Sequence, residues 1–124
     1  MARILLVEDV EDNRDLAREL LEEAGFEVVE AVNGLEALDL VKSEAFDMVL
    51  LDLSLPLVDG WETLRQMRAS ADLAKIPVVA VTAHVMAGDR ERVLEAGFIG
   101  YIPKPISVGT FAQEVRAYLA ALKR

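Results

Sequence analysis

Five short runs rich in Val, Ile and Leu, separated by longer stretches with helical spacing, constrain this chain more than any other feature. The runs are Arg3 to Val7, Glu27 to Ala31, Met48 to Leu51, Pro77 to Val81 and Ile99 to Ile102. Three of them are apolar almost without alternation, which suits strands covered on both faces, as in a parallel sheet. Between the runs, Leu16, Leu20 and Ala24, with Ala17 and Leu21, form a helical stripe that ends at Gly25. Leu35, Leu38 and Val41 form a second stripe behind the opening turn Asn33-Gly34. Asp59 is a candidate N-cap for a third helix containing Leu64 and Met67. A fourth begins near Val85 and closes at Ala96-Gly97, and Phe111, Val115, Leu119 and Leu122 make the fifth.

Strand then helix, five times in 124 residues, predicts an α/β fold: a single doubly wound sandwich over residues 1–124 with right-handed crossovers. No linker, repeat or low-complexity stretch divides it. The sequence has no cysteine, which excludes disulfides and thiolate zinc sites and makes the cytoplasm the expected location. The longest stretch free of Asp, Glu, Lys and Arg runs from Ile76 to Gly88, short of the ~20 apolar residues of a membrane-spanning helix. A formal net charge of −9 argues against nucleic-acid partners, which are held by clustered Lys and Arg. Proteins are the expected partners.

In open α/β sheets the ligand site lies at the carboxyl ends of the strands. The first run ends in Glu8-Asp9, the third in Asp52 and the fourth in Thr82, and Lys104 follows the fifth. Three acids, a hydroxyl and an ammonium are therefore expected on one edge. Carboxylates held together repel by about 1 kcal/mol per pair at ~4 Å in water, and by about 4 kcal/mol at an effective dielectric of ~20. A hard divalent cation such as Mg²⁺ offsets this, because it prefers oxygen ligands. An Asp with the ordinary pKa of about 3.9 is also a ready nucleophile toward phosphorus, needing no base.

Glu8-Asp9, the segment Leu50-Leu51-Asp52-Leu53-Ser54-Leu55-Pro56 with Asp59-Gly60, Val81-Thr82-Ala83, and Tyr101-Ile102-Pro103-Lys104-Pro105 follow one another over essentially the whole chain. This ordered set resembles the receiver domain of two-component response regulators. The segment Tyr101 to Val108 is similar to stand-alone receivers of the cell-cycle and phosphorelay type. The resemblance implies a flavodoxin-like fold of five parallel strands in the order 2-1-3-4-5 with helices on both faces. It implies a bacterial phosphoacceptor switch, in which Asp52 accepts a phosphoryl group from a histidine kinase or histidine phosphotransfer protein. Mg²⁺ or Mn²⁺ is then held by Asp9, Asp52 and the backbone carbonyl of Ser54, with Glu8 acting directly or through water. Thr82 and Lys104 bind the phosphoryl oxygens. Tyr101 turns inward as Thr82 moves, reshaping a surface of the fourth helix, fifth strand and fifth helix that a downstream protein target reads. Met86, Arg90, Tyr101 and Pro103 are its candidate residues. Ser54 and His84, the only histidine, border the route of the hydrolytic water and tune the phosphoryl lifetime. The peptide bond between Lys104 and Pro105 is implied to be cis. No turnover of an outside substrate is implied, only the domain's own phosphorylation and slow autodephosphorylation. Leu55 stands where many receivers have Met, and Val10 where many have Asn; neither touches this chemistry.

Other functions use similar residues. A haloacid-dehalogenase-type phosphatase also places Asp, Thr or Ser, and Lys at strand ends, but its general acid is a second Asp two residues after the nucleophile, where this chain has Ser54. A flavin mononucleotide carrier needs an anion-binding loop after the first strand, where this chain has Glu8-Asp9-Val10-Glu11-Asp12. A receiver acting as an unphosphorylated scaffold is the third alternative. Trp61 is expected to pack at the start of the third helix, and Glu22-Glu23, Arg90 and Arg92 to lie on solvated helix faces.

Overall fold

Side chains along a strand point alternately to opposite faces, so a strand apolar at every position asks for cover on both sides. The computed structural model, which describes residues 1–83 and 89–122, supplies it. The elements run β1 (Arg3–Val7), α1 (Glu11–Glu23), β2 (Glu27–Ala31), α2 (Gly34–Ser43), β3 (Met48–Asp52), α3 (Gly60–Ala69), β4 (Val78–Thr82), α4 (Asp89–Ala96), β5 (Gly100–Pro103) and α5 (Phe111–Leu122). All strand pairs are parallel, in the order β2-β1-β3-β4-β5. Along β1, Leu5 and Val7 pack into the core beneath α2, α3 and α4, whereas Ile4 and Leu6 pack beneath α1 and α5. Every residue of β3 and β4 is buried, and the expected fold is the one observed.

Boundaries differ from the sequence reading by about a residue. β3 continues to Asp52, which pairs with Val81, and β4 runs to Thr82. Both polar residues are thereby sheet positions whose direction follows from register. Asn33 and Asp59 cap α2 and α3, their side chains accepting the N–H groups of Glu36 and Glu62 at 2.8 Å. Gly25 and Gly97 follow α1 and α4 with φ of +95° and +112°, where a residue with a Cβ is strained. Three stripe residues are not core: Leu16, Leu35 and Leu122 face solvent, and Ala17, Leu21, Leu38, Val41, Phe111 and Val115 carry the contact. The expected start of the fourth helix near Val85 lies outside the described residues. No helix among the described residues is long and apolar enough to cross a membrane.

A half-buried cation braces the end of the sheet away from the site. The Arg68 guanidinium on α3 donates to the carbonyls of Ala74, Ile76 and Gly97, each at 2.9 Å. It thus ties the chain just before β4 to the turn that starts β5.

At the other end, α3 approaches the exit of β3 so closely that its first residue has to lack a side chain. A Cβ on Gly60 would sit 2.4 Å from the Asp52 carbonyl oxygen and 2.7 Å from Leu53 Cα. Overpacking of this kind costs 1–3 kcal/mol, so Gly60→Ala is expected to lower unfolding stability by about 2 kcal/mol in urea titrations. A midpoint equal to the parent's would show that the helix yields without cost.

Candidate functional site

Parallel strands bring all their carboxyl ends to one edge of the sheet, and adjacent β1 and β3 deliver their acids there side by side. One carboxylate oxygen from each of Glu8, Asp9 and Asp52 lies within 4.8 Å of the others. Glu8 and Asp52 are each only 4% exposed, while Asp9 is open to solvent.

Burying two like charges requires a counter-charge and full hydrogen bonding, and the chain supplies both. The Lys104 ammonium donates to Asp52 Oδ2 at 2.7 Å and to Glu8 Oε1. The Ser54 N–H donates to Asp52 Oδ1 at 2.9 Å, and the Val10 N–H to Glu8 Oε2 at 3.0 Å. Each of the four oxygens thus accepts a hydrogen bond. Burial pushes the Glu8 carboxyl above the usual glutamate range, an effect that its bonds from Lys104 and Val10 only partly offset and that nearby Asp52 reinforces. Burial by itself would lower the Lys104 ammonium, but its hydrogen bonds to Asp52 and Glu8 outweigh that and hold it above the ordinary lysine value. Exposed Asp9 and the buried pair form an all-oxygen donor set suited to a hard divalent cation.

Thr82 is buried at the end of β4, and its carbonyl accepts the Lys104 N–H at 2.8 Å. The Lys104–Pro105 peptide bond is cis. Ser54, Thr82, Trp61, Asp89 and Arg92 line a cleft of about 200 Å³ beside the acids. Trp61 packs as expected, edge-on to Phe98 at 5.7 Å between centroids. Arg92 is exposed, yet its guanidinium also lies 5.4 Å over the Trp61 ring. His84 and Met86 lie outside the described residues.

Tyr101 sits farther away, on edge strand β5, with its ring against the core beneath α2, α3 and α4. Its backbone is gripped by Tyr118 of α5, whose hydroxyl accepts the Tyr101 N–H at 3.2 Å and donates to its carbonyl at 3.1 Å. Arg90, Leu94, Tyr101, Pro103 and Tyr118 line a cleft of about 320 Å³ on the face of α4, β5 and α5. Sequence reasoning passed over Tyr118 and Arg14, because Tyr101 and Glu30, which they bond, lie 17 and 16 residues away and no local spacing announces them.

Residues 4–116 match the response regulator receiver domain family. The chain belongs to that family. The receiver is 44% identical over 116 residues to the polar-differentiation response regulator DivK of Brucella anthropi, covering 94% of each chain. It also resembles two solved receivers in three dimensions. The chemotaxis response regulator CheY4 of Vibrio cholerae superposes with a TM-score of 0.88 at 25% identity, covering 95% of this chain and 98% of that one. The receiver domain of a sensor histidine kinase from Pseudomonas aeruginosa PAO1, solved with magnesium in its active-site cleft, gives a TM-score of 0.86 at 30% identity, covering 96% and 98%. Receiver domains as a family bind Mg²⁺ at an acidic site and interact with histidine kinases and downstream targets.

Removing one partner of a buried ion pair leaves the others uncompensated, at a cost of 3–5 kcal/mol. Lys104→Met is therefore expected to lower stability at neutral pH by about 3 kcal/mol in urea titrations, and adding Glu8→Gln to recover part of that. The lysine's folded value lies above its ordinary 10.5, so its contribution is present below pH 10.5 and is lost as pH rises through the folded value. The gap between parent and Lys104→Met should hold from neutral pH to that point and close beyond it.

Proposed function

We propose that this receiver is a phosphoacceptor switch in which Asp52 takes a phosphoryl group from a phosphohistidine on a histidine kinase or histidine phosphotransfer protein. The observation that carries the reading is the fully bonded Glu8, Lys104 and Asp52 arrangement, with Asp9 open beside it. A carboxylate paired with an ammonium needs no base to act as nucleophile. An Asp52 oxygen bonds to phosphorus as the donor's N–P bond breaks, and that electron pair leaves with the imidazole. Lys104 moves its bond from Asp52 Oδ2 onto a phosphoryl oxygen, and the Thr82 hydroxyl takes another. Asp9, Asp52 and the Ser54 carbonyl hold Mg²⁺ or Mn²⁺, with Glu8 bonding directly or through water. When bound, the cation offsets charge on the acids and on the transferring oxygens. The magnesium in the cleft of the Pseudomonas aeruginosa receiver supports this assignment.

Ser54 and His84 flank the approach of hydrolytic water and set how long the phosphoryl group lasts. Phosphorylation draws Thr82 inward and lets Tyr101 follow, which alters the face of α4, β5 and α5. A downstream protein reads that face. Tyr118 supports this, because its hydroxyl holds the Tyr101 backbone and so fixes the point about which the side chain would turn. The switch works in the cytoplasm and engages neither nucleic acid nor membrane, in keeping with its net charge of −9. It turns over no outside substrate, since Ser54 occupies the position where a phosphatase of the haloacid-dehalogenase type carries its general acid.

The test is intact mass after incubation with acetyl phosphate, with Trp61 fluorescence followed on the same samples. The parent is expected to gain one phosphoryl group in the presence of Mg²⁺ and none with a chelator, and Asp52→Asn to gain none. Lys104→Met should slow the gain by about 10²-fold, the loss typical of removing one preorganised charge-stabilising donor. A parent that takes up no phosphoryl group from any donor would leave the unphosphorylated scaffold as the function.

A further inference from the structure

The geometry points to Arg14 as the residue that positions the acidic loop for its cation, an inference that rests on the cation assignment given above. Arg14 lies in α1 with its side chain only 14% exposed. Its Nη1 donates to the Glu8 carbonyl at 3.0 Å and, at the long limit of 3.5 Å, to that of Asp9. Its Nε donates to Glu30 Oε2 at 3.0 Å, and the other Glu30 oxygen is held by Arg18 Nη1 at 2.8 Å. Glu30 belongs to β2 and pairs in register with Leu6 of β1. The guanidinium is thus anchored to the sheet on one side and holds, on the other, the backbone of the two residues whose carboxylates gather with that of Asp52.

The Glu8 side chain is held by Lys104 and the Val10 N–H, but the backbone between Glu8 and α1 has fewer tethers. Val10, at the N-cap of α1, provides no side-chain cap, and the Glu8 N–H bond to the Ala31 carbonyl at 3.1 Å secures only the first residue. Without the Arg14 fork, ordering Glu8 and Asp9 would have to accompany cation binding and would weaken it. Charge alone argues the other way, since deleting a cation near an acidic site favours Mg²⁺. The sign of the change therefore separates positioning from simple electrostatics. Lysine keeps the charge, but one ammonium cannot reproduce the planar fork that spans Glu30 and the loop carbonyls.

The experiment is calorimetric titration of MgCl₂ into the parent, Arg14→Met, Arg14→Lys and Glu30→Gln, each shown to be folded by circular dichroism. Phosphorylation by acetyl phosphate is followed across Mg²⁺ concentrations. Both Arg14 variants are expected to bind Mg²⁺ about tenfold more weakly, the low end of the loss seen when groups supporting a metal's ligands are removed. Glu30→Gln should fall between them and the parent. Phosphorylation should be slow at limiting Mg²⁺ and return to the parental rate at saturation, a recovery that general structural damage would not show. Mg²⁺ affinity unchanged or tighter in both Arg14 variants would overturn the inference, as would a rate deficit that persists at saturation. If Arg14→Met does not fold, Arg14→Lys and Glu30→Gln decide by the same criteria. A parent that binds no Mg²⁺ overturns the cation assignment itself, which is distinct from a parent and variants that bind alike.

Discussion

One ammonium group, that of Lys104, lies between the buried carboxylates of Glu8 and Asp52, and the arrangement of the whole upper edge of the sheet depends on it. Two carboxylates with 4% exposure would repel strongly in so dry a setting. The lysine satisfies one oxygen of each, and backbone N–H groups of Val10 and Ser54 satisfy the others. Such an arrangement is stable but poised. A hard cation could share the lysine's role as counter-charge, which would leave the ammonium free to pair with an anion arriving at Asp52.

Three separate parts of the fold converge to build this site. Register places Asp52 at the end of β3 and Thr82 at the end of β4. The absence of a side chain at Gly60 lets α3 start against the Asp52 carbonyl. The Lys104 N–H bond to the Thr82 carbonyl holds the exit of β5 against β4. These constraints fix Asp52, Thr82 and Lys104 through strand register, the start of α3 and the exit of β5, whereas Glu8 and Asp9 lie on the segment between β1 and α1.

From that edge, two aromatic contacts lead outward. Trp61 lines the cleft that Ser54 and Thr82 share, and it touches both Phe98 and Arg92. Tyr101 is held by its backbone on Tyr118, with its ring against the core. Trp61 and Arg92 thus join the cleft at Ser54 and Thr82 to the surface of α3 and α4, while Tyr101 lies on the separate face of α4, β5 and α5.

The sequence by itself determined the architecture and which polar side chains would gather at one edge of the sheet. Continuous apolar strands demand cover on both faces, and acids that end such strands meet at one edge whenever the strands are parallel, so Glu8, Asp9, Asp52, Thr82 and Lys104 were legible before any coordinate. Helix ends were legible too at Asn33, Asp59, Gly25 and Gly97, because caps act within a few residues. What only the tertiary structure decided depends on contacts between distant segments: which stripe residues, such as Leu16 and Leu122, stay outside the core; that Arg14 and Glu30 brace the acidic loop; that Tyr118 grips Tyr101; and that Arg92 covers Trp61. Periodicity and capping are local and leave a pattern in the chain. A hydrogen bond between a helix and a strand many residues away leaves none, and exists only once the sheet has brought the two together.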